Sequence, residues 1–412
     1  MRSFSQMPID TQEIAQRDLN LDERRRTNLF AWNGQFSPQL VETLLDRYST
    51  CDTVVLDPFA GSGTTLCESA RRGVAAYGVE LNPSAYFMAK TYELASMEPG
   101  RRAVLVAELE AFLLTRQRQG PSLVASLVAE APACLRDQVS LLVILLDLFA
   151  HETTFELLMA KWRRLKEIII GLPHTSNPIR VQRGDARKLQ LPEGLASLLI
   201  TSPPYINVFN YHQKYRRSVE ALGYDVLSIA RAEIGANRKN RGNRFLTIIQ
   251  YCMDMGLSLK EAVRVCREGS RMIYIVGRES SVLGYSFCNS RLLFELATDI
   301  FGLRCILRQE RFFRNRFGQV IYEDILHFEN SATRIPDDDD IMSKARETAV
   351  RMLEEKVREA PENEHATLIR AAIEKRDLVD KSEEATWLED CMGRSSTRRR
   401  TATRRQGQMC CV

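Results

Sequence analysis

The run Asp57-Pro58-Phe59-Ala60-Gly61-Ser62-Gly63-Thr64-Thr65 follows the short β-branched segment TVVLD. Two glycines after a strand let the backbone turn tightly and approach a ligand closely. A helix that starts there offers unpaired N–H groups to a carboxylate or phosphate. No Lys follows the last glycine, so a nucleoside triphosphate would lack its cation, and the spacing is not G-x-G-x-x-G either. Glu80 stands 23 positions after Asp57, in GVELNP, at the tip of what reads as the next strand. An acid there can accept from both hydroxyls of a ribose. Gly184-Asp185-Ala186 sits where a third strand should end. Asp185 can accept from an adenine amino group as readily as it can cap a helix. Thr201-Ser202-Pro203-Pro204-Tyr205 closes another strand. Its two prolines lock φ and remove two donors, leaving a rigid run of carbonyl acceptors. The Ser202 hydroxyl and a proline carbonyl can accept from the two hydrogens of an exocyclic amine, and Tyr205 offers a flat face to a base.

These residues can act together only if a sheet brings the strand tips to one edge. SPQLVETLLDRY (37–48) reads as a helix, with Pro38 at its first position and Leu40, Val41, Leu44 and Leu45 on one face. Strands at 53–57 and 74–80 flank a helix at 64–73, the opening of a doubly wound α/β sheet. Strand patterns resume at 179–189 and 197–205, then a helix and a buried strand in 258–277, then a helix and a terminal hairpin in 291–329. Between them, 96–175 is poor in Gly and Pro and reads as three or so inserted helices broken at Gly120–Pro121, with the basic patch KWRRLK (161–166) on the last. The expected organisation is therefore a loose polar lead-in at 1–27, a sheet domain made of 28–95 and 176–330, a helical insertion at 96–175, and a charged helical segment with an Arg-rich tail at 331–412. Within that last segment, 341–390 could serve to dock a partner.

Composition bounds the rest. With 412 residues, 44% of them hydrophobic and 27% charged, the chain is globular rather than disordered. Its longest apolar stretch, Leu141–Ala150, is interrupted by Asp147 and is too short for a membrane span, and the N-terminus has no apolar core of a signal peptide. The ten cysteines form no C-x-x-C pair, against a zinc ribbon or disulfide scaffold and consistent with a reducing, cytoplasmic setting. A net charge of +4 decides nothing about partners, so local clusters matter.

Taken together, DPFAGSGTT, VELNP, GDA and TSPPY resemble the amino-group DNA methyltransferases that use S-adenosylmethionine. The Ser-Pro-Pro-Tyr form is most similar to the cytosine-N4 branch; the adenine-N6 branch more often has Asp or Asn before the prolines. The resemblance implies a Rossmann-like, mostly parallel seven-stranded sheet with a helical insertion. NLFAWNGQFSPQLVETLL (28–45) is similar to the segment that in this family touches the cofactor's methionine end, which brings in Phe36 and Ser37. By the same resemblance Asp57, Phe59, Gly61 and Gly63, with Pro58 and Thr64 beside them, would hold the methionine part. Glu80 would take the ribose, with Leu81 adjoining. Asp185 would take the adenine amine, with Asn82 and Ala186 nearby. Ser202, Pro203, Pro204 and Tyr205 would hold the target base. The chemistry needs no covalent intermediate, and the chain has no Pro-Cys dipeptide of the kind that methylation at carbon 5 commonly uses.

A duplex base must be flipped out to reach such a pocket, at a cost of a few kcal/mol that phosphate contacts offset. The segment 231–244 holds five basic residues against one acid, so Arg238, Lys239, Arg241 and Arg244 are expected to face DNA, with Lys214 of KYRR near the pocket. Double-stranded DNA is thus the expected partner, at the nucleoid when bound. A restriction–modification or related system is the expected setting, with a cognate endonuclease as the further partner to look for. The sequence leaves the recognition site and the oligomeric state open. It also leaves two rival readings: methylation of adenine N6, and an inactive cofactor- and DNA-binding module.

Overall fold

The computed structural model describes residues 3–21, 25–117, 122–206, 210–236, 240, 242–314, 318–359 and 363–385. The chain runs α1 (Gln16–Asn20), α2 (Pro38–Tyr48), β1 (Val54–Asp57), α3 (Thr64–Arg72), β2 (Ala75–Glu80) and α4 (Pro83–Lys90). Four further helices follow, α5 (Pro99–Leu114), α6 (Leu123–Glu130), α7 (Arg136–Leu146) and α8 (Phe155–Gly171), then β3 (Ile179–Arg183) and β4 (Ala196–Thr201). Helices α9 (Arg216–Ala221), α10 (Val226–Ala232) and α11 (Leu246–Val265) lead to β5 (Cys266–Gly277). The chain continues through β6 (Glu279–Val282), β7 (Tyr285–Cys288), α12 (Asn289–Glu295), β8 (Arg304–Arg314), β9 (Val320–Glu329), α13 (Asp338–Glu359) and α14 (Glu364–Glu374).

Seven strands form one sheet in the order β3-β2-β1-β4-β5-β9-β8. The first five are parallel, and β9 pairs antiparallel with β5 and β8. This is the doubly wound, mostly parallel seven-stranded sheet expected from the sequence. The strand order reverses between β1 and β4, so their C-terminal tips diverge and leave a crevice at the edge where ligands bind in such sheets.

Side chains of a strand alternate between its faces, and the sheet uses both. Val55, Leu198, Ile200, Ile273 and Ile275 enter one core with the inserted helices, contributing Leu109, Leu142, Trp162 and Ile169. Leu56, Leu199, Met272, Tyr274 and Val276 enter a second core under α11, α12 and α13.

The structure sharpens several expectations. Among its described residues the insertion has four α-helices, where three or so were expected, and their apolar faces are part of the first core. Within KWRRLK, Trp162 and Leu165 are buried, Lys166 pairs with Glu110 and Arg164 with Glu167, so that run is only partly a free basic face. The polar lead-in is docked: Gln16 donates to the Glu310 carbonyl at 2.8 Å, and the Asn20 side chain accepts the Phe312 N–H at 3.0 Å, which covers the edge of β8. The charged segment after Pro336 is also integral. In α13, Ile341, Ala345, Ala349, Met352 and Leu353 recur at helical spacing and pack into the second core, while the aspartates 338–340 occupy the first turn, where negative charge is favoured. The terminal run 394–405 lies outside the described residues.

Candidate active site

The crevice between β1 and β4 is a cleft of about 860 Å³, part of it open to solvent. Its walls include Trp32 to Phe36, Pro58 to Ser62, Thr64, Glu80 to Asn82, Gly184 to Ala186, Ser202, Pro204, Tyr211 and Ala232 to Ile234. All four sequence clusters therefore reach one space.

The glycine turn is built almost entirely from its own neighbourhood. Ala60 N–H donates to the Val79 carbonyl at 3.0 Å, and Gly63 N–H to the Ala60 carbonyl at 2.8 Å. Gly63 caps α3 with φ +88°, and a Cβ there would stand 2.7 Å from the Tyr92 ring and 2.8 Å from Ala89 Cα. Both the backbone conformation and the close approach of α4 demand glycine. Gly63 thus shapes the turn from behind and does not line the cleft.

Glu80 receives Gly61 N–H on one oxygen at 2.8 Å and Asn82 N–H on the other at 2.7 Å. Each oxygen keeps acceptor capacity toward the cleft. Enclosure by protein pushes the carboxyl up to about 7, against the two backbone donors that pull it down. Asn82 is itself locked, since its side chain caps α4 on Ser84 N–H at 2.9 Å.

Asp57, expected at the methionine end, is instead buried beneath the turn. Its Oδ1 accepts from the Thr201 hydroxyl at 2.6 Å and from Phe59 N–H at 3.1 Å. Burial raises its carboxyl to about 6, with the hydroxyl and amide donors opposing. It ties the tip of β1 to the tip of β4. Ser37 likewise stands outside the lining, at the start of α2, whereas Phe36 lines the cleft.

Segment 28–36 folds over the turn. Thr64 donates to Asn28 Oδ1 at 2.7 Å, Asn28 Nδ2 to the Phe36 carbonyl at 2.7 Å, and Ser62 to Gln35 Oε1 at 2.8 Å. Trp32 stacks on Tyr211 with centroids 5.9 Å apart and planes 15° off parallel. Lys214 Nζ sits 5.6 Å from the Trp32 ring centroid, at the cleft rim. Tyr211 stands beside KYRR, near the pocket by sequence, whereas Trp32 and Gln35 escaped the residue-by-residue reading; the only signal for those two was their presence in a segment already singled out.

At the other tip, the Ser202 hydroxyl lies 3.4 Å from the Tyr205 hydroxyl, which donates to Glu323 Oε1 at 3.4 Å. The Tyr205 ring lies against Gly277, where a Cβ would approach it to 2.7 Å. Burial first, then the Glu323 charge, raises the phenol well above its ordinary value. The Pro204 carbonyl accepts from Tyr251 at 3.1 Å. Ser202 and Pro204 line the cleft, and Pro203 and Tyr205 are not among its lining residues. His212 is buried with Nδ1 2.7 Å from Glu233 Oε2.

Asp185 does line the cleft, but Arg187 grips it: Nε lies 3.0 Å from Oδ1 and Nη2 2.6 Å from Oδ2. Of the cationic loop, Arg238, Lys239 and Arg241 lie outside the described residues, and Arg244 is half-buried just before α11.

Three carboxylates, Glu80, Asp185 and Glu233, and no Lys or Arg stand among the described residues lining the cleft. That set offers hydrogen-bond acceptors and no cation, which suits the hydroxyls and amine of a nucleoside better than a phosphate. The residues present thus fit S-adenosylmethionine: Glu80 for the ribose, Asp185 for the adenine amine, and the glycine turn with segment 32–36 for the methionine end. This sheet and this strand-tip site together define an S-adenosylmethionine-dependent methyltransferase fold.

Residues 12–91 match the sequence model of the DNA methylase family of N6 and N4 type. Over 67 residues, 15% of this chain, the sequence is 37% identical to the Type II methyltransferase M.MjaII of Methanocaldococcus jannaschii. The chain matches only 13% of that relative's length. Over residues 12–91 this chain is thus similar to the N6/N4 type of DNA methylase. Among solved structures, a methyltransferase of Methanosarcina mazei is 12% identical, covering 69% of this chain and 96% of that one, with a TM-score of 0.34. The rRNA methyltransferase aviRa of Streptomyces viridochromogenes is 11% identical, covering 82% and 96%, with a TM-score of 0.30.

Proposed function

We propose that the protein transfers a methyl group from S-adenosylmethionine to the exocyclic N4 amine of a cytosine flipped out of duplex DNA, within a restriction–modification or related system. The observation that carries this reading is that Glu80 at the tip of β2 and Ser202 at the tip of β4, two strands with β1 between them, line the same cleft. A nucleoside held at one and a base held at the other would meet inside it.

S-adenosylmethionine, when bound, supplies a methyl group activated by its sulfonium. The chain's own part is positioning and electrostatics. A cytosine amine is a poor nucleophile because its lone pair is delocalised into the ring. The Ser202 hydroxyl oxygen and the Pro203 carbonyl would each accept one N–H. That pairing favours a pyramidal nitrogen whose lone pair is available. Asp57, bound to Thr201 next to Ser202, keeps the two tips in register. Tyr205 would give the base its stacking face after turning from its seat on Gly277, and Lys214 at the rim would meet phosphate.

Adenine N6 is the second reading, since the same acceptors suit either amine. Ser202 in place of an acid favours cytosine through the family resemblance. The test is tritiated-methyl transfer to unmethylated DNA by the wild type and Ser202→Ala, with base-resolved sequencing of the product. Wild-type incorporation at cytosine that falls at least about 100-fold in the variant supports the reading. Equal incorporation in both removes Ser202 from the mechanism, and methyl on adenine replaces the first reading by the second.

A further inference from the structure

After α14 the chain returns to Arg187, the residue that holds Asp185. Val379 is buried in the second core, and its carbonyl accepts from Arg346 Nη2 at 3.2 Å. Ser382, also buried, uses all three of its polar atoms. Its N–H donates to Asp254 Oδ1 at 3.0 Å and its hydroxyl to Asp254 Oδ2 at 2.6 Å, while its carbonyl accepts from Arg187 Nη1 at 2.8 Å. The Glu383 carbonyl accepts from Arg187 Nη2 at 2.9 Å, and its carboxylate from Arg231 Nε at 2.8 Å.

Arg187 is the hub. Its side chain is 4% exposed and bridges Asp185 to Asp254, whose side chain is wholly buried. A guanidinium carries five N–H donors in a planar fork, and here two carboxylates and the carbonyls of residues 382 and 383 receive them. A lysine has three donors and no plane, and could not satisfy this set. Burial opposes the charge, but Asp254 and Asp185 outweigh it and hold the proton more firmly than usual. Asp185 shares the cleft with Glu80 and Glu233, and the guanidinium fixes both of its oxygens.

The geometry points to residues 380–384 as a strap that belongs to the cofactor site: by closing Arg187 onto Asp185, it orients the carboxylate that reads the adenine amine. Ser382, Asp254 and Arg187 are positioning residues, acting through Asp185. The inference rests on the cofactor reading above and adds to it a role for the far C-terminal side of the fold.

Calorimetry on full-length wild type, Ser382→Ala and Arg187→Lys tests it, with S-adenosylhomocysteine and S-inosylhomocysteine as ligands. The second ligand carries a carbonyl oxygen where adenine has its amine. The wild type should prefer the adenosyl form. Ser382→Ala should lose about tenfold in adenosyl affinity, about 1.4 kcal/mol, with inosyl affinity changed no more than about twofold, so the preference narrows. Arg187→Lys should narrow it further. Melting curves identify a variant that does not fold; if Arg187→Lys is one, Ser382→Ala decides alone, because it removes a single hydroxyl. An unchanged preference in folded Ser382→Ala, or equal loss for both ligands, overturns the strap while leaving the cofactor reading intact. A wild type that binds neither ligand overturns the cofactor reading and the strap with it.

Discussion

The glycine turn at the tip of β1 and the double-proline turn at the tip of β4 face one cleft but are held in different ways. Apart from the shared Asp57–Thr201 bond, the clamps described on the first come from within 36 positions: Val79 for Ala60, Glu80 for Gly61, Gln35 for Ser62, Asn28 for Thr64. The clamps on the second come from afar: Asp57 on Thr201 across 144 positions, Tyr251 on Pro204 across 47, Glu323 on Tyr205 across 118. A cofactor pocket that must be ready before substrate arrives gains from local, short-range clamps. A target pocket that must receive a base from outside can use a tyrosine parked on a glycine, free to leave it.

This contrast can be broken from either side. The largest effect is expected for Gly63→Ala, which forces a Cβ into Tyr92 and Ala89 at a positive φ. Strain and overpacking together should destabilise the fold by about 3 kcal/mol, with cofactor binding lost, as read by thermal melting and calorimetry. A melting temperature within a degree of wild type would show that the turn is softer than its clamps indicate.

Glu80→Gln should come next. An amide in place of the carboxylate weakens the ribose site and meets Gly61 or Asn82 N–H with a donor. Affinity for S-adenosylhomocysteine should drop by about 100-fold, the equivalent of two lost charge-assisted bonds, with little loss of stability. Gly277→Ala acts on the opposite tip. Its Cβ would displace the Tyr205 ring, so methyl transfer should fall by about 30-fold while cofactor affinity stays within about twofold. Equal loss of both would mean the two tips are not independent.

The smallest effect concerns pH. The folded carboxyls of Glu80 (about 7) and Asp57 (about 6) lie above their ordinary values of 4.5 and 3.8. A raised folded pKa means the native state binds the extra proton, so their contribution to stability is complete below about 4 and is lost as pH rises toward about 7. Ribose hydroxyls donate best to the ionised Glu80, so cofactor affinity should move the other way. It should strengthen by up to about tenfold between pH 6 and pH 8 in the wild type, and stay nearly flat in Glu80→Gln. A wild-type affinity independent of pH in that range would place Glu80 off the ribose.

What the sequence alone determined was the set of local devices. The β-branched runs ending in Asp57, Glu80 and Thr201, the glycines between them, and the proline pair each declare a strand tip by their own chemistry, and the resemblance supplied their order of use. The helical character of the charged segment was legible, but the surrounding charge hid the stripe Ile341, Ala345, Ala349, Met352, Leu353 and its destination in the second core. Only the tertiary structure could decide that Asp57 turns inward to Thr201, that Tyr205 rests on Gly277, and that Ser382 closes on Asp254 and Arg187. The physical reason is range. A turn is settled by the steric limits of a few consecutive residues. Which distant carboxylate a hydroxyl or guanidinium finds depends on which strands lie side by side, and no local pattern encodes that.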